Sequence, residues 1–395
     1  MTRTKRAGRR SAGKVEKKQD GGANPAGPSS TPDAAGLIEK AHILLGQSNF
    51  ELAIKFLERA LSLQQDNLEA RELIGVAELE GGDADVGREH LLHLFPPHTS
   101  EPPSSPSPYL YLAQTAGDPQ EALGYYSTAA SMLENSLASA SRPKGKERSV
   151  GEEGEEDEVE EMRKMAVTAL VAMIEIWMSD LCFEPAAESN CDALITRAMS
   201  ISPEDVDVRI SLASIRMSQQ RFDEAKQVAV KLFEEIDEKE PFDATMPPLP
   251  TRLTLVRLLL EHSLHLPALS LLTTAREEDS LEVESAYLEG WAWYLRAEAI
   301  EADPSLLQSP SADEEENGPE TINAEDCFSE SMRALIECAK IFTEQDYPDE
   351  GIGAHVQELL QNLEKRGTKP AIVEEEAGGA DGADTGADWE DVEMA

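Results

Sequence analysis

The chain has 395 residues, and its 35 Lys and Arg against 77 Asp and Glu give a formal net charge of −42. This length accommodates two or three compact domains of about 100 to 200 residues, or one elongated array of repeats. So acidic a protein repels phosphate backbones and anionic lipid surfaces, which predicts a basic protein partner and no direct binding to nucleic acid or membrane. The longest apolar stretch, residues 165–178, is too short to span a bilayer.

The first 20 residues have the opposite charge, because eight Lys and Arg stand there against two acids. No apolar segment follows, and interspersed glycines disfavour the amphipathic helix of a mitochondrial presequence. The cluster therefore predicts a nuclear-import signal, import receptors as further partners, and a protein of the cytoplasm and nucleus. The alternative is a basic segment that folds back onto the acidic body. The residues assigned to import are Arg3, Lys5, Arg6, Arg9 and Arg10.

From residue 37 onward the sequence shows helical periodicity with small residues at a fixed spacing. Ala41, Ala53 and Ala60 begin the pattern, and Gly75 and Gly87 follow Ala41 and Ala53 at an interval of 34 residues. This spacing resembles the tetratricopeptide repeat, in which about 34 residues form two antiparallel helices. The resemblance implies that these small residues lie where the two helices of a pair touch closely.

Further copies of the pattern follow to the end of the apolar sequence. The clearest has Ala213 in its first helix and Ala225 in its second, and a weaker copy has Gly290 at the close-contact position. Residues 351–366 have the amphipathic pattern of a capping helix. The predicted fold is all-α, a right-handed superhelical solenoid of about six to seven tetratricopeptide helix pairs.

Charged and low-complexity tracts interrupt the repeats. Eight of the ten residues 152–161 are acidic, and residues 370–395 contain nine acids and no base. Such composition is typical of segments that cannot bury enough apolar surface to fold. The predicted organisation is a disordered basic leader over 1–33, repeats over 34–135, an acidic disordered loop over 136–161, repeats over 162–302, an acidic insert over 303–322, closing helices over 323–366 and an acidic disordered tail over 367–395.

The sequence lacks the motifs of common enzyme and metal sites. It contains no phosphate-binding loop, nucleophile elbow or complete dinucleotide fingerprint. Two pairs of histidines three residues apart lack a convincing third ligand. Cys182, Cys191, Cys327 and Cys338 do not have zinc-ribbon spacing and are predicted to be buried thiols. We therefore expect no catalytic residue, no cofactor and no metal.

Binding residues are expected on the first helix of each pair, because these helices line the concave groove of a superhelix. The inward positions carry mainly acids, joined by aromatic residues in the last repeat, a combination that suits Arg and Lys side chains of a basic extended peptide. The alternatives are a solubilising surface for the acids and ordinary helix packing for the aromatic residues. The predicted client-binding residues are Glu69, Glu72, Glu80, Tyr111, Asp180, Asp207, Glu261, Glu284, Tyr287, Trp291 and Tyr294.

The combination of a basic leader, degenerate repeats with Ser- and Glu-rich loops and an acidic tail containing Asp388-Trp389-Glu390-Asp391 is informative as a whole. It resembles the fungal dedicated assembly chaperones of large-subunit ribosomal protein four. The resemblance implies that the groove wraps a long basic loop of the new ribosomal protein, shields it and escorts it to nuclear pre-ribosomes. The alternative is an acidic scaffold that binds histones or another basic nuclear protein. The net charge of the sequence does not distinguish between these basic clients.

Overall fold

Every regular element within residues 33–140, 152–307 and 322–371, the part of the chain that the computed structural model describes, is a helix. The all-α prediction is confirmed for these residues. The predicted import residues lie outside them, as do residues 372–395 of the predicted acidic tail. No helix in the described ranges is long and apolar enough to cross a membrane.

The chain divides into two units, residues 1–102 and residues 103–395. The helices of unit 1 are α1 (Ala34–Leu45), α2 (Phe50–Leu63), α3 (Leu68–Gly81) and α4 (Ala84–Leu92). Those of unit 2 are α5 (Ser107–Gln114), α6 (Pro119–Ala140), α7 (Glu152–Met178), α8 (Ala187–Ile201), α9 (Val206–Ser218), α10 (Phe222–Asp237), α11 (Leu249–Glu261), α12 (His265–Glu278), α13 (Val283–Ala302), α14 (Ala324–Gln345) and α15 (Glu350–Arg366), with a short 3₁₀ turn at Pro304–Leu306. Consecutive helices therefore form seven pairs in the described residues, followed by the predicted capping helix.

Local sequence signals set where the helices of a pair begin and turn. Asp33 caps α1 by accepting a hydrogen bond from Gly36 N–H at 2.9 Å, and the Asp205 side chain caps α9 in the same way. Such caps satisfy amide groups that have no partner within the helix. Between first and second helices, Ser48, Gln220 and Ser263 adopt positive φ, the left-handed conformation that ends a helix tightly. These three pairs can therefore reverse direction within a few residues.

Small residues lie where the helices of unit 1 approach one another. Ala41, Ala53 and Ala60 are completely buried, as their repeat positions predict. A Cβ atom on Gly87 would lie 2.8 Å from the carbonyl oxygen of Gly75, a distance that side-chain carbons do not tolerate. Glycine is thus required at this crossing of α3 and α4, which confirms the close-contact positions.

In unit 2 the first helices also contact one another and form a layer. α7 packs against α9, α9 against α11, α11 against α13, and α13 against α15, while the second helices α10 and α12 touch on the other side. Leu170, Leu232 and Leu259 are fully buried between these layers. Each such leucine contributes roughly 2 kcal/mol by leaving water. Residues on the free side of the first helices consequently share one surface.

A network of ion pairs joins the last helices. Glu289 on α13 accepts a hydrogen bond from Arg333 on α14 at 2.6 Å and lies 3.4 Å from Arg276 on α12, and Arg276 also pairs with Glu337 of α14. Ion pairs therefore connect α12, α13 and α14 to one another. Because the side chains of Arg276 and Glu289 are only 12% and 16% exposed, the pairing is screened less than an ordinary surface salt bridge.

The tract predicted as an acidic loop over 136–161 is largely helical. α6 continues to Ala140 and α7 begins at Glu152, so residues 141–151 alone remain outside the described structure. Glutamate has a high intrinsic helix propensity, and acids near a helix N-terminus are favoured by the helix dipole. The boundary between the two units accordingly falls after Pro102 in the chain and not in this tract, because α6 and α7 pack side by side.

Three of the four cysteines are buried, as predicted, but Cys182 is exposed. Burial raises the pKa of the Cys327 thiol to about 11 and that of Cys338 to about 12. Cys182 lies in residues 179–186, which join α7 to α8 and are longer than the α5–α6, α9–α10 and α11–α12 turns. The prediction for Cys182 is wrong because this loop extends beyond the packed helices.

Candidate functional site

Two carboxylates come near each other on the first-helix layer of unit 2. Glu175 lies near the end of α7, and Asp207 lies in the first turn of the neighbouring helix α9. Thr251 on α11 donates a hydrogen bond from Oγ1 to Asp207 Oδ1 at 2.9 Å, so a third helix holds this carboxylate in place. We call Glu175 and Asp207 the acidic pair.

Both residues of the acidic pair are exposed at the surface, but their surroundings still disfavour the ionised carboxylates. Partial burial, followed by the negative charge of Asp207, raises the pKa of Glu175 above its usual range. Burial also raises the pKa of Asp207, and the hydrogen bond from Thr251 offsets only part of that effect. In the part of the chain that the structure describes, neither carboxylate has an ion pair with Lys or Arg. A cation from another molecule would remove this repulsion.

A cleft of about 470 Å³ lies beside Glu175, where the α5–α6 turn faces the end of α7. Its lining includes Gln114, Tyr126, Glu175 and Asp180. Burial, together with the charge of Glu175, raises the pKa of Tyr126, so the phenol remains a neutral donor and acceptor. The mixture of carboxylates, amide and phenol can receive a Lys or Arg side chain by charge and hydrogen bonding.

Among the predicted binding residues, Asp180 and Asp207 lie at this part of the first-helix layer. Asp180 is exposed but follows the end of α7, so the prediction that it belongs to the first helix itself is wrong. Tyr111 is half-buried on α5, where its carbonyl oxygen accepts a hydrogen bond from Thr115 Oγ1 at 2.9 Å. Glu261 is exposed at the last position of α11. Their contact with a client stays a prediction.

The three predicted acids of unit 1 all lie on α3. Glu69 is exposed and lies 3.3 Å from His42 Nε2 of α1. Glu72 is half-buried, whereas Glu80 is exposed near the end of the helix. The side chain of Glu69 is 62% exposed, so it remains accessible to a ligand as well as to His42.

Glu284 differs from its predicted role as an open carboxylate. Its side chain is only 19% exposed and forms an ion pair with Arg257, which projects from α11 towards α13. The protein thereby neutralises this charge itself. Because the two residues lie 27 positions apart, only the packed structure brings them together. This pairing argues against Glu284 as an open client contact.

The aromatic residues of α13 are largely engaged in packing. Tyr287 stacks on Trp291 with ring centres 5.9 Å apart, and its hydroxyl lies 2.8 Å from His355 Nδ1 on α15. Tyr294 meets Phe328 of α14 edge to face at 5.5 Å. The structure thus shows the packing arrangement that was the alternative for these residues, because α14 and α15 cover this side of α13.

Sequence reasoning missed Glu175, Thr251, Arg257 and His355. A signal existed for Glu175, which is the one charged residue within the apolar stretch 165–178. The other three depend on which helices pack together. In the described ranges, no group of three or more His, Cys, Asp or Glu residues is placed to hold a metal ion.

The chain is similar in sequence to known repeat proteins. The tetratricopeptide-repeat family matches residues 34–67. A protein of Schizosaccharomyces pombe described as a probable assembly chaperone of rpl4 is 30% identical over 268 residues, covering 68% of this chain and 71% of its own length. The chain belongs to the family of assembly chaperones of rpl4. Another member, from Emericella nidulans, is 29% identical over 371 residues, which are 91% of this chain and 89% of the relative.

A solved structure supports the same family placement. Residues 1–338 of the assembly chaperone of RpL4 called Acl4 match with a TM-score of 0.61 and 29% identity, covering 69% of this chain and 99% of that one. The tetratricopeptide-repeat architecture predicted for this member of the assembly chaperones of rpl4 is thereby confirmed. The handedness of the superhelix stays a prediction.

Proposed function

We propose that this protein is a dedicated chaperone of newly made ribosomal protein L4, which it binds through the first-helix surface of unit 2. Its relatives in two fungi are described as probable assembly chaperones of rpl4. The observation that carries the site is the acidic pair Glu175 and Asp207: burial raises the pKa of both carboxyls, the charge of Asp207 further raises that of Glu175, and neither has an ion pair with Lys or Arg in the described residues. A basic segment of L4 would supply such a cation. The proposed role requires no catalytic group.

The physical basis of this chaperoning is replacement of one polyanion by another. A basic segment that binds ribosomal RNA would attract other nucleic acids and aggregate while it is alone. Carboxylates of the acidic pair and of the adjoining cleft would stand in for RNA phosphates until assembly. Because these contacts are electrostatic, competition by RNA phosphates would release the client.

Direct binding measurements test this role. We expect the full-length protein to bind purified L4 about a hundredfold more tightly than a core histone at 0.15 M salt, because a dedicated chaperone must match the shape of its client as well as its charge. Fluorescence anisotropy with labelled L4 and labelled histone, each titrated with the protein, gives both dissociation constants. Equal affinities would favour the general acidic scaffold for basic nuclear proteins over the dedicated chaperone.

We further propose that the chaperone accompanies L4 into the nucleus, using the basic residues near its N-terminus. Replacing Arg9 and Arg10 by Gln should roughly halve the nuclear-to-cytoplasmic ratio of a fluorescent fusion, because import receptors recognise clustered basic side chains. Replacing Lys17 and Lys18 by Gln removes the same charge outside the assigned cluster and serves as the matched control. If both variants distribute like the unaltered protein, the leader does not direct import and the protein relies on another signal.

A further inference from the structure

Phe183 is the most exposed large apolar side chain in the described residues, with 97% of its surface open to solvent. It lies in the loop between α7 and α8, which is ordered by successive backbone hydrogen bonds. Leu181 N–H donates to Ile176 O, Glu184 N–H to Leu181 O and Ala187 N–H to Glu184 O, each at 3.0 Å. The loop therefore presents the ring of Phe183 on a fixed framework.

A second cleft, of about 370 Å³, lies beside the same loop. The ends of α7 and α9 and the start of α8 form its walls, and its lining includes Trp177, Met178, Cys182 and Ile215. Gln219 and Glu188 contribute polar groups. Six of the ten lining residues are apolar or sulfur-containing and four are polar, so the cleft can receive one apolar side chain of a partner beside hydrogen-bonding groups.

The charges around this cleft identify the chemistry of the partner. Asp180, Glu184 and Glu188 are exposed and have no ion pair with Lys or Arg in the part of the chain that the structure describes. The nearby Arg216 is already paired with Asp192 at 3.2 Å. The 179–186 loop and the adjoining cleft therefore carry negative charge that no Lys or Arg pairs with in the described residues, which would attract basic segments and repel acidic ones.

We infer that the Trp177 cleft and Phe183 form an anchor site for an aromatic or aliphatic side chain within a basic segment of the client. The inference rests on the proposed function for the identity of the client, and it adds an apolar contact to the electrostatic ones. A second copy of this chain fits the site poorly, because each copy has a net charge of −42. The basic residues 1–32 carry no aromatic residue, and the segment around Trp389 is acidic.

Cys182 provides a direct probe of occupancy, because it lines the cleft and is the one exposed cysteine of the four. With L4 at a concentration that anisotropy shows to be saturating, we expect alkylation of Cys182 by N-ethylmaleimide to slow about tenfold, since a bound side chain covers the thiol. Peptide mass spectrometry measures the rate for each cysteine separately. An unchanged rate at saturation would overturn the anchor site.

A matched pair of variants separates the anchor from general surface effects. Phe183→Ser should weaken L4 binding about tenfold, the effect of losing one buried aromatic contact. Phe242→Ser removes another exposed phenylalanine, 73% accessible on the α10–α11 connection, and should leave affinity unchanged. Thermal melts verify that both variants fold. If the unaltered protein fails to bind L4, the proposed function itself is wrong, whereas normal binding of L4 by Phe183→Ser overturns the anchor site alone.

Discussion

Replacing Gly290 by valine should lower the free energy of unfolding of unit 2 by about 3 kcal/mol, because α13 and α14 touch at this residue. A Cβ atom there would lie 2.6 Å from Leu335 Cγ and 3.2 Å from the backbone nitrogen of Leu335. A new rotamer of Leu335 would move the side chain away but not the backbone. The carbonyl of Gly290 also accepts a hydrogen bond from the buried Ser331 hydroxyl at 2.8 Å, which ties the two helices together.

Gly124 offers a closely matched control. It also lies within a helix, its carbonyl accepts a hydrogen bond from Thr128 Oγ1 at 2.9 Å, and nothing lies within 4 Å of an added Cβ. Gly124→Val should therefore change stability by no more than about 0.5 kcal/mol. Urea unfolding followed by tryptophan fluorescence reports on unit 2, since all four tryptophans follow Pro102 in the sequence. Equal effects of the two substitutions would contradict a close crossing at Gly290.

The spacing of small residues was sufficient to predict these crossings, because each requires only a short side chain at a fixed repeat position. Gly75, Gly87 and Gly290 lie where the repeat places them, and the capping helix begins at Glu350, one residue before its predicted start. The acidic tract 152–161 misled the prediction. Its charge pattern is typical of disorder, but its glutamates are also good helix formers, and α6 packs along the helix that they begin.

The candidate site was less predictable, because it depends on which side chains meet across helices. The repeat pattern identified Asp207 as facing the groove, but it could not show that Thr251 holds this carboxylate or that Glu175 lies near it. Equally, no local feature distinguishes Glu284, which Arg257 neutralises, from an open acid. Position within a repeat predicts the direction of a side chain, whereas its partner follows from the register between helices.

Reversing both charges of the acidic pair, Glu175→Lys with Asp207→Lys, should weaken L4 binding about a hundredfold at 0.1 M salt. Each reversal replaces attraction of a client cation by repulsion, and close charge pairs in interfaces contribute energies of this size. The matched control is Glu234→Lys with Glu277→Lys, which makes the same change in net charge at exposed sites on the second helices α10 and α12. If both double variants bind L4 equally well, client recognition does not involve the acidic pair.

The single isosteric change Glu175→Gln separates a binding role from a structural one. Because the folded-state pKa of Glu175 is raised, the folded protein holds this proton more tightly, and ionisation lowers stability as pH rises from the ordinary carboxyl range through the raised value. The variant should therefore raise the midpoint of thermal unfolding at pH 7 while weakening L4 binding about fivefold.

For the unaltered protein, L4 affinity should rise with pH through the same window, since the client binds the ionised carboxylate. A fall in thermal stability for Glu175→Gln would show that this carboxylate supports the fold, and unchanged affinity would exclude it from the client interface.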